Sequence, residues 1–187
     1  GGQSRLQLSL NLPLAKQPAK IKGALRISDG SLLFRDVKID LTHLDGTLNF
    51  TERGLSADGI HAALLGQAVT IDAKTSESGT TFSAQGTADA AELGKRFAAP
   101  LATYIDGSAP WRGALRIPPQ SQGAAELQVE SSLQGVAINL PAPVGKTANE
   151  ARPLLLQVPL PVKAEKPVHI RYGDIADAQL ALRSGES

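Results

Sequence analysis

The sequence has no cysteine and no methionine among its 187 residues. Without cysteine, the chain cannot form disulfides, thiolate metal sites or thiol nucleophiles. Without an initiating methionine, we expect the chain to be a fragment of a longer protein. Aromatic residues are also few, at one tryptophan, two tyrosines and four phenylalanines. Sugar-binding surfaces rely on exposed aromatic platforms, so this scarcity disfavours carbohydrate as a ligand.

An excess of one charge and a long apolar run are also absent. Lysine and arginine number 19 against 18 aspartates and glutamates, and they are scattered along the chain. No basic patch is therefore present to attract nucleic acid, which we exclude as a partner. No run approaches the roughly 18 consecutive apolar residues of a membrane-spanning helix. We expect any membrane association to reside in parts of the full-length chain that lie outside this sequence.

What the sequence does contain is alternation with a period of two. Leu6, Leu8, Leu10, Leu12 and Leu14 alternate with polar residues or proline, which places all five leucines on one face of a strand. The same alternation recurs in residues 21–27, 37–41, 44–50, 69–73, 111–117, 127–133, 136–140, 154–160, 168–172 and 180–182. Short turn signals such as 28–30 and 58–59 separate these runs. The pattern predicts an all-β, mainly antiparallel meander of about a dozen strands, because such short connections cannot make parallel crossovers.

One segment follows helical spacing instead. Asp89 precedes Glu92 at the spacing of a capping box, and Leu93 and Phe97 follow one helical turn apart. We predict one short helix near 90–105, broken at Pro100. The chain then divides into a first β-sheet unit at 1–88, a helical insert at 89–106 and a second β-sheet unit at 107–187, joined as one continuous sheet. Residues 23–27 and 113–117 share the sequence GALRI, a weak sign that the two units are related.

Residues that could carry catalysis show no supporting pattern. The three histidines, His43, His61 and His169, lie on separate strand-like runs without the close spacing of a metal motif. Asp36 and Asp40 fall on the polar side of their alternation, as expected for a solvated strand face. We therefore predict no enzyme activity, no catalytic residue, no metal site and no cofactor. A β-rich hydrolase remains an alternative only if the fold brings a histidine beside two carboxylates.

A candidate nucleotide-binding motif is the tripeptide at 145–147, Gly-Lys-Thr, which resembles the end of a phosphate-binding loop. That motif also requires a glycine five residues before Gly145, where this chain has Leu140, and a helix after it, where no helical pattern is present. Nucleotide binding is therefore disfavoured.

The apolar side of the predicted sheet needs a cover or a ligand. A dozen strands span about 55 Å, whereas a helix is only about 10 Å across. One broken helix cannot cover that width. The residues alone leave two hypotheses open. The apolar faces pack together in a β-sandwich, or they form a groove that holds an apolar ligand. The stripes are mostly aliphatic, which suits alkyl chains because these need continuous, non-directional contact.

From about Ile21 onward the chain resembles the YhdP family of the AsmA/TamB-like superfamily. The first unit carries the sequences KGALRI at 22–27, LDGTLNF at 44–50 and ALLGQAV at 63–69. The second carries WRG at 111–113 and VESSLQGVAINLPAPVGK at 129–146. These stretches are similar to the recurring strand and loop sequences of that family.

The resemblance implies a periplasmic lipid-transfer protein of Gram-negative bacteria, anchored in the inner membrane. It also implies a long twisted sheet with a hydrophobic groove that moves phospholipids toward the outer membrane, so it favours the groove over a structural or adhesive β-sandwich without ligand. We accordingly predict that phospholipid acyl chains contact twelve groove-lining residues. These are Leu25, Ile27, Leu48, Phe50, Val69, Ile71, Leu115, Ile117, Leu127, Val129, Ile138 and Leu140.

Overall fold

Alternating apolar and polar residues form strands along most of the chain. A computed structural model describes residues 3–11, 20–34, 39–97, 102–119, 123–163 and 165–181, and all statements of structure below concern these. The strands are β1 (Gln3–Asn11), β2 (Lys20–Phe34), β3 (Ile39–Thr51), β4 (Gly54–Leu64), β5 (Gln67–Ser76), β6 (Gly79–Asp89), β7 (Ile105–Ile117), β8 (Ala125–Ser131), β9 (Val136–Ile138), β10 (Leu154–Leu160), β11 (Val168–Tyr172) and β12 (Ala176–Leu180). The helix α1 (Ala90–Phe97) and a 3-10 turn (Ala102–Tyr104) join β6 to β7.

All the strands belong to one antiparallel sheet that follows chain order, β1 through β8 and then β10 to β12. The predicted all-β meander is therefore confirmed, with twelve strands in a single layer. Direct pairing of β6 with β7 makes the sheet continuous across the predicted helical insert. The division of the chain into two β-sheet units stays a prediction.

The strand β9 departs from the simple meander. It pairs with the start of β7, where Ile138 lies opposite Ile105, while β8 pairs with the later part of β7 and β10 pairs with β8. The connection from β8 to β10, residues 132–153, therefore leaves the sheet path and contains β9 within it. We call this connection the rim loop, because it lies at the ends of the strands. The helix α1 lies at the same ends of the strands. We call this edge of the sheet, which carries both the rim loop and α1, the loop rim.

The helix begins where the capping pattern predicts it. The Oδ1 atom of Asp89 accepts a hydrogen bond from the backbone N–H of Glu92 at 3.0 Å, and this bond lowers the pKa of the Asp89 carboxyl. Arg96 on the helix donates to Asp40 at 3.0 Å. The predicted second half of the helix is only a 3-10 turn, since β7 already begins at Ile105. The predicted break at Pro100 lies outside the described residues.

Two predicted turns are instead irregularities inside long strands. At 28–30 and 58–59 the strands β2 and β4 continue through shifts of register. Asp29 and His43 have φ values of 51° and 50°, and the His43 Nδ1 atom lies 2.9 Å from Asp29 Oδ1 across the β2–β3 pair. Bulges bend a strand and increase its twist, so these residues curve the sheet and do not end its strands.

The pairing register separates the side chains into two faces. On the side of Leu25 almost every strand residue is apolar, and we call this side the apolar face. Its most buried part is a cluster of Ala57, Ile60 and Ala73, against which Leu48 and Phe82 pack. No large side chain in the described part of the chain is fully buried. The opposite side, the polar face, carries mostly polar and charged residues.

Aromatic side chains on the apolar face lie over glycines of neighbouring strands. A Cβ atom on Gly23 would come within 2.2 Å of Phe50 Cζ, so the ring occupies the space that a side chain at Gly23 would need. Trp111 likewise lies against Gly86 of the neighbouring strand β6, and also against Gly113 of its own strand. Aromatic residues cover sheet glycines in this way and support the strands there.

We expect Gly23→Val to lower the free energy of unfolding by about 1–3 kcal/mol, because the new side chain must displace the Phe50 ring. Urea unfolding followed by circular dichroism measures this cost. The matched test is Gly23→Val in a Phe50→Ala background, where the cost should shrink because the ring is gone. An equal cost in both backgrounds would show that the ring does not limit this position.

Candidate functional site

The twelve predicted groove residues fall in two places. Ten of them lie on the apolar face of the main sheet, spread over β2, β3, β5, β7 and β8. Ile138 lies on β9, and Leu140 follows it in the rim loop. The structure therefore brings the ten onto one surface and places the last two at its loop rim. Their contact with lipid stays a prediction.

The apolar face is continuous from strand to strand. Direct pairing joins Ala57, Ala73, Phe82, Leu115, Leu127 and Val158 into one row across six strands. No polar side chain interrupts this row. Because partners opposite each other in an antiparallel pair point to the same side, the row forms an unbroken apolar path across the strands.

Exposure changes along this face. In the middle, Val69 and Ala73 are buried, and Ala73 belongs to the cluster that larger neighbours on the same face pack against, without a second layer. Toward the sheet edges Leu8 is 55% and Leu180 46% exposed, and at the strand ends opposite the loop rim Ile117 is 41% exposed. The helix α1 contacts β6, β7 and the 3-10 turn. An apolar ligand could therefore reach much of this surface.

The polar face has a recess of its own, about 1080 Å³ in volume, near the loop rim. One cross-strand row lines it, with His61, Thr70, Gln85, Arg112, Glu130 and Arg171 as its polar members. Leu155 lies between Glu130 and Arg171 and is the apolar exception in this row. Its mixed charges, two arginines beside a glutamate, favour neither an anion nor a cation. The sequence predicted the wet face but not this recess.

The histidines do not form a catalytic cluster. His43 is beside one carboxylate, Asp29, and His169 lies between Gln157 and Asp177. Asp45 accepts a hydrogen bond from the Asp29 backbone N–H at 3.3 Å. No group of three histidine, aspartate or glutamate residues in the described segments is placed to hold a metal ion. Asp36, expected on the solvated side of its strand, lies outside those segments.

The tripeptide at 145–147 has a structural role in the rim loop. Lys146 is 6% exposed, and its Nζ donates to the carbonyl oxygens of Leu133 and Thr147 at 2.9 Å each and to that of Val136. Burial lowers the pKa of the Lys146 ammonium, with Glu150 acting against this shift and Arg152 adding to it. All three ammonium protons have acceptors inside the loop, so this lysine holds the loop together.

A second cation holds the tip of the rim loop, which is residues 140–145. Arg152 Nη1 lies 2.9 Å from the Pro143 carbonyl oxygen and 3.2 Å from those of Val144 and Gly145. The guanidinium also lies 5.3 Å from the centre of the Tyr172 ring, and the Tyr172 hydroxyl donates to the Val144 carbonyl at 2.8 Å. The tip is therefore fixed to the end of β11.

Glycines allow the rim loop to approach β7 closely. A Cβ on Gly107 would lie 2.2 Å from the Gly135 carbonyl oxygen, and one on Gly135 would lie 2.3 Å from the Ser108 carbonyl oxygen. Both glycines have positive φ, at 100° and 99°. No other residue fits these positions without moving the backbone. The two glycines and the two cations are the signals in the sequence that could have indicated an ordered loop here.

Comparison with known proteins gives one match. A family model described as YhdP protein matches residues 1–187, and so covers the N-terminal residues as well as the resembling stretches noted above. No curated protein and no solved structure matches the chain. Within the described residues, no helix is long and apolar enough to cross a membrane.

We expect Lys146→Met to lower the free energy of unfolding by about 1–3 kcal/mol, because the carbonyls of Leu133, Val136 and Thr147 lose the ammonium group that donates to them. Chemical unfolding of the purified chain measures the change. Lys74→Met is the matched control, since Lys74 is exposed on the polar face, and it should change stability by less than about 0.5 kcal/mol. Equal effects of the two variants would contradict the structural role of Lys146.

Proposed function

The chain belongs to the YhdP family, and from this membership and the open apolar face we propose that it is a non-catalytic, lipid-binding segment of an envelope protein. The family resemblance supplies the wider role, movement of phospholipids between the inner and outer membranes. It also supplies the proposed location, the periplasm, as part of a protein anchored in the inner membrane. The acyl chains of phospholipids are the proposed ligands.

The observation that carries this proposal is the unbroken apolar row on the face of a single-layered sheet. A monomeric protein seldom leaves so long a contiguous apolar face without a second layer unless something binds there. The row from Ala57 to Val158 crosses the strands, so a hydrocarbon chain lying along it would meet apolar side chains at every strand. The polar face provides the water-facing exterior.

The affinity that such a surface offers suits transfer. A chain of about 14 methylenes buried on one side only gains about half of the roughly 0.8 kcal/mol available per methylene, or about 5–6 kcal/mol. This is enough to extract an acyl chain from water and too little to hold it permanently. Because the contacts are non-directional, a lipid could shift along the row without breaking specific bonds.

The alternative of a structural or adhesive β-sandwich requires the apolar face to be covered by a second layer. The described strands form a single layer, and leucines on its apolar face near the sheet edges are strongly exposed. The hydrolase alternative requires a histidine beside two carboxylates, whereas His43 and His169 each contact one. Both observations favour the lipid-binding role.

We expect the purified chain to carry phospholipid detectable by mass spectrometry, and Leu48→Asp to abolish it, because a carboxylate on the apolar face would be desolvated by the bound acyl chain. Asn49→Asp adds the same charge to the adjacent residue on the polar face and should leave lipid binding intact. Ile117→Asp provides a second variant at an exposed position of the apolar face, where unfolding is less of a concern.

Trp111 gives a direct readout, because it is the sole tryptophan and lies on the apolar face. Phospholipid brominated on its acyl chains should quench Trp111 fluorescence in the wild type and in Asn49→Asp. A chain free of lipid, with Trp111 unquenched, would overturn the proposal and favour a purely structural module.

A further inference from the structure

The tip of the rim loop is an exposed apolar surface separate from the apolar face of the sheet. Residues 140–145 have the sequence LPAPVG and carry no charged side chain. Pro141, Ala142 and Pro143 are exposed, and Val144 is 39% exposed. Tyr104, 47% exposed, lies at its base, where its carbonyl oxygen accepts a hydrogen bond from Asn139 N–H at 2.7 Å. Tyr104 and the tip together form what we call the tip patch.

Backbone polar groups of the tip are largely satisfied within the protein. The Pro141 carbonyl accepts from the N–H groups of Val144 and Gly145, at 3.1 and 3.2 Å. Arg152 lies against the next carbonyls along the tip, as described above, and the two prolines have no N–H to leave unpaired. Entry into an apolar medium therefore costs this loop far less than it would cost an ordinary loop, whose free carbonyls and N–H groups would lose water.

Both tyrosines of the chain also lie at this rim. Tyr104 directly precedes β7 and Tyr172 is the last residue of β11, so both lie at the loop rim, whereas Trp111 is in the middle of β7. Tyrosine side chains are enriched where hydrocarbon meets water in a bilayer.

From these observations we propose that the tip patch inserts into the interfacial region of a phospholipid bilayer and so fixes the loop rim of the sheet to a lipid surface. A protein partner fits less well, because recognition between proteins uses about one hydrogen bond per 100–200 Å² and the tip has few free polar groups to offer. The proposal goes beyond lipid binding on the apolar face and does not require it.

The absence of cysteine makes a site-specific test direct. An environment-sensitive fluorophore attached to Ala142→Cys should shift to the blue when the chain meets vesicles of phosphatidylethanolamine and phosphatidylglycerol. The same fluorophore on Ser78→Cys, in an exposed turn at the opposite strand ends, should not shift. Absence of a shift at Ala142→Cys, or an equal shift at both positions, would overturn the proposal. The proposal would also be wrong if the chain bound a protein from the same cellular compartment and vesicles had no effect on the fluorophore.

Vesicle flotation separates this proposal from lipid binding by the apolar face. Val144→Asp should reduce the floated fraction about tenfold, the loss expected when one buried aliphatic side chain is replaced by a charge. It should leave the lipid that copurifies with the chain unchanged. Leu48→Asp should show the reverse, with flotation kept and copurified lipid lost. If Val144→Asp floats as the wild type does while Leu48→Asp does not, the vesicles bind through the apolar face and the tip proposal is wrong.

Discussion

The structure depends on the agreement between the two-residue period of the sequence and the in-register pairing of its strands. A slip of one residue in any strand would move its apolar residues to the polar face. Because strand after strand keeps this register, the apolar residues form continuous rows on one side of a single layer. The open apolar face, the polar exterior and the proposed lipid role all follow from that agreement.

A sheet of this kind must be stable without a second layer on its apolar face. Small residues such as Ala57 and Ala73 are buried because larger neighbours on the same face, including Phe82, surround them. The irregularities near Asp29 and His43 bend the strands β2 and β3. Backbone hydrogen bonding between long strands supplies the rest. The fold can therefore leave its large apolar side chains partly exposed, which a closed sandwich does not allow.

Local sequence patterns predicted the parts of the structure whose causes are local. Alternation predicted the strands and their faces, and the Asp89 capping pattern predicted the start of α1. The rim loop was not predicted, because Lys146 and Arg152 act on carbonyls that fold back from other parts of the loop. The alternation in residues 136–140 predicts an ordinary strand of the meander. It is instead a short strand, β9, which pairs with the start of β7 because Gly107 and Gly135 permit the close approach.

The two proposed lipid contacts make opposite demands on the chain. An apolar face that exchanges lipid needs weak, non-directional contacts, and the aliphatic rows provide them. A tip that enters a bilayer interface needs its backbone groups satisfied in advance, since water is no longer available to pair them. Cations packed against the loop meet this second demand efficiently, because the Arg152 guanidinium lies against several carbonyls at once. The polar network of Lys146 and Arg152 in the rim loop thus lies beside the most apolar surface of that loop.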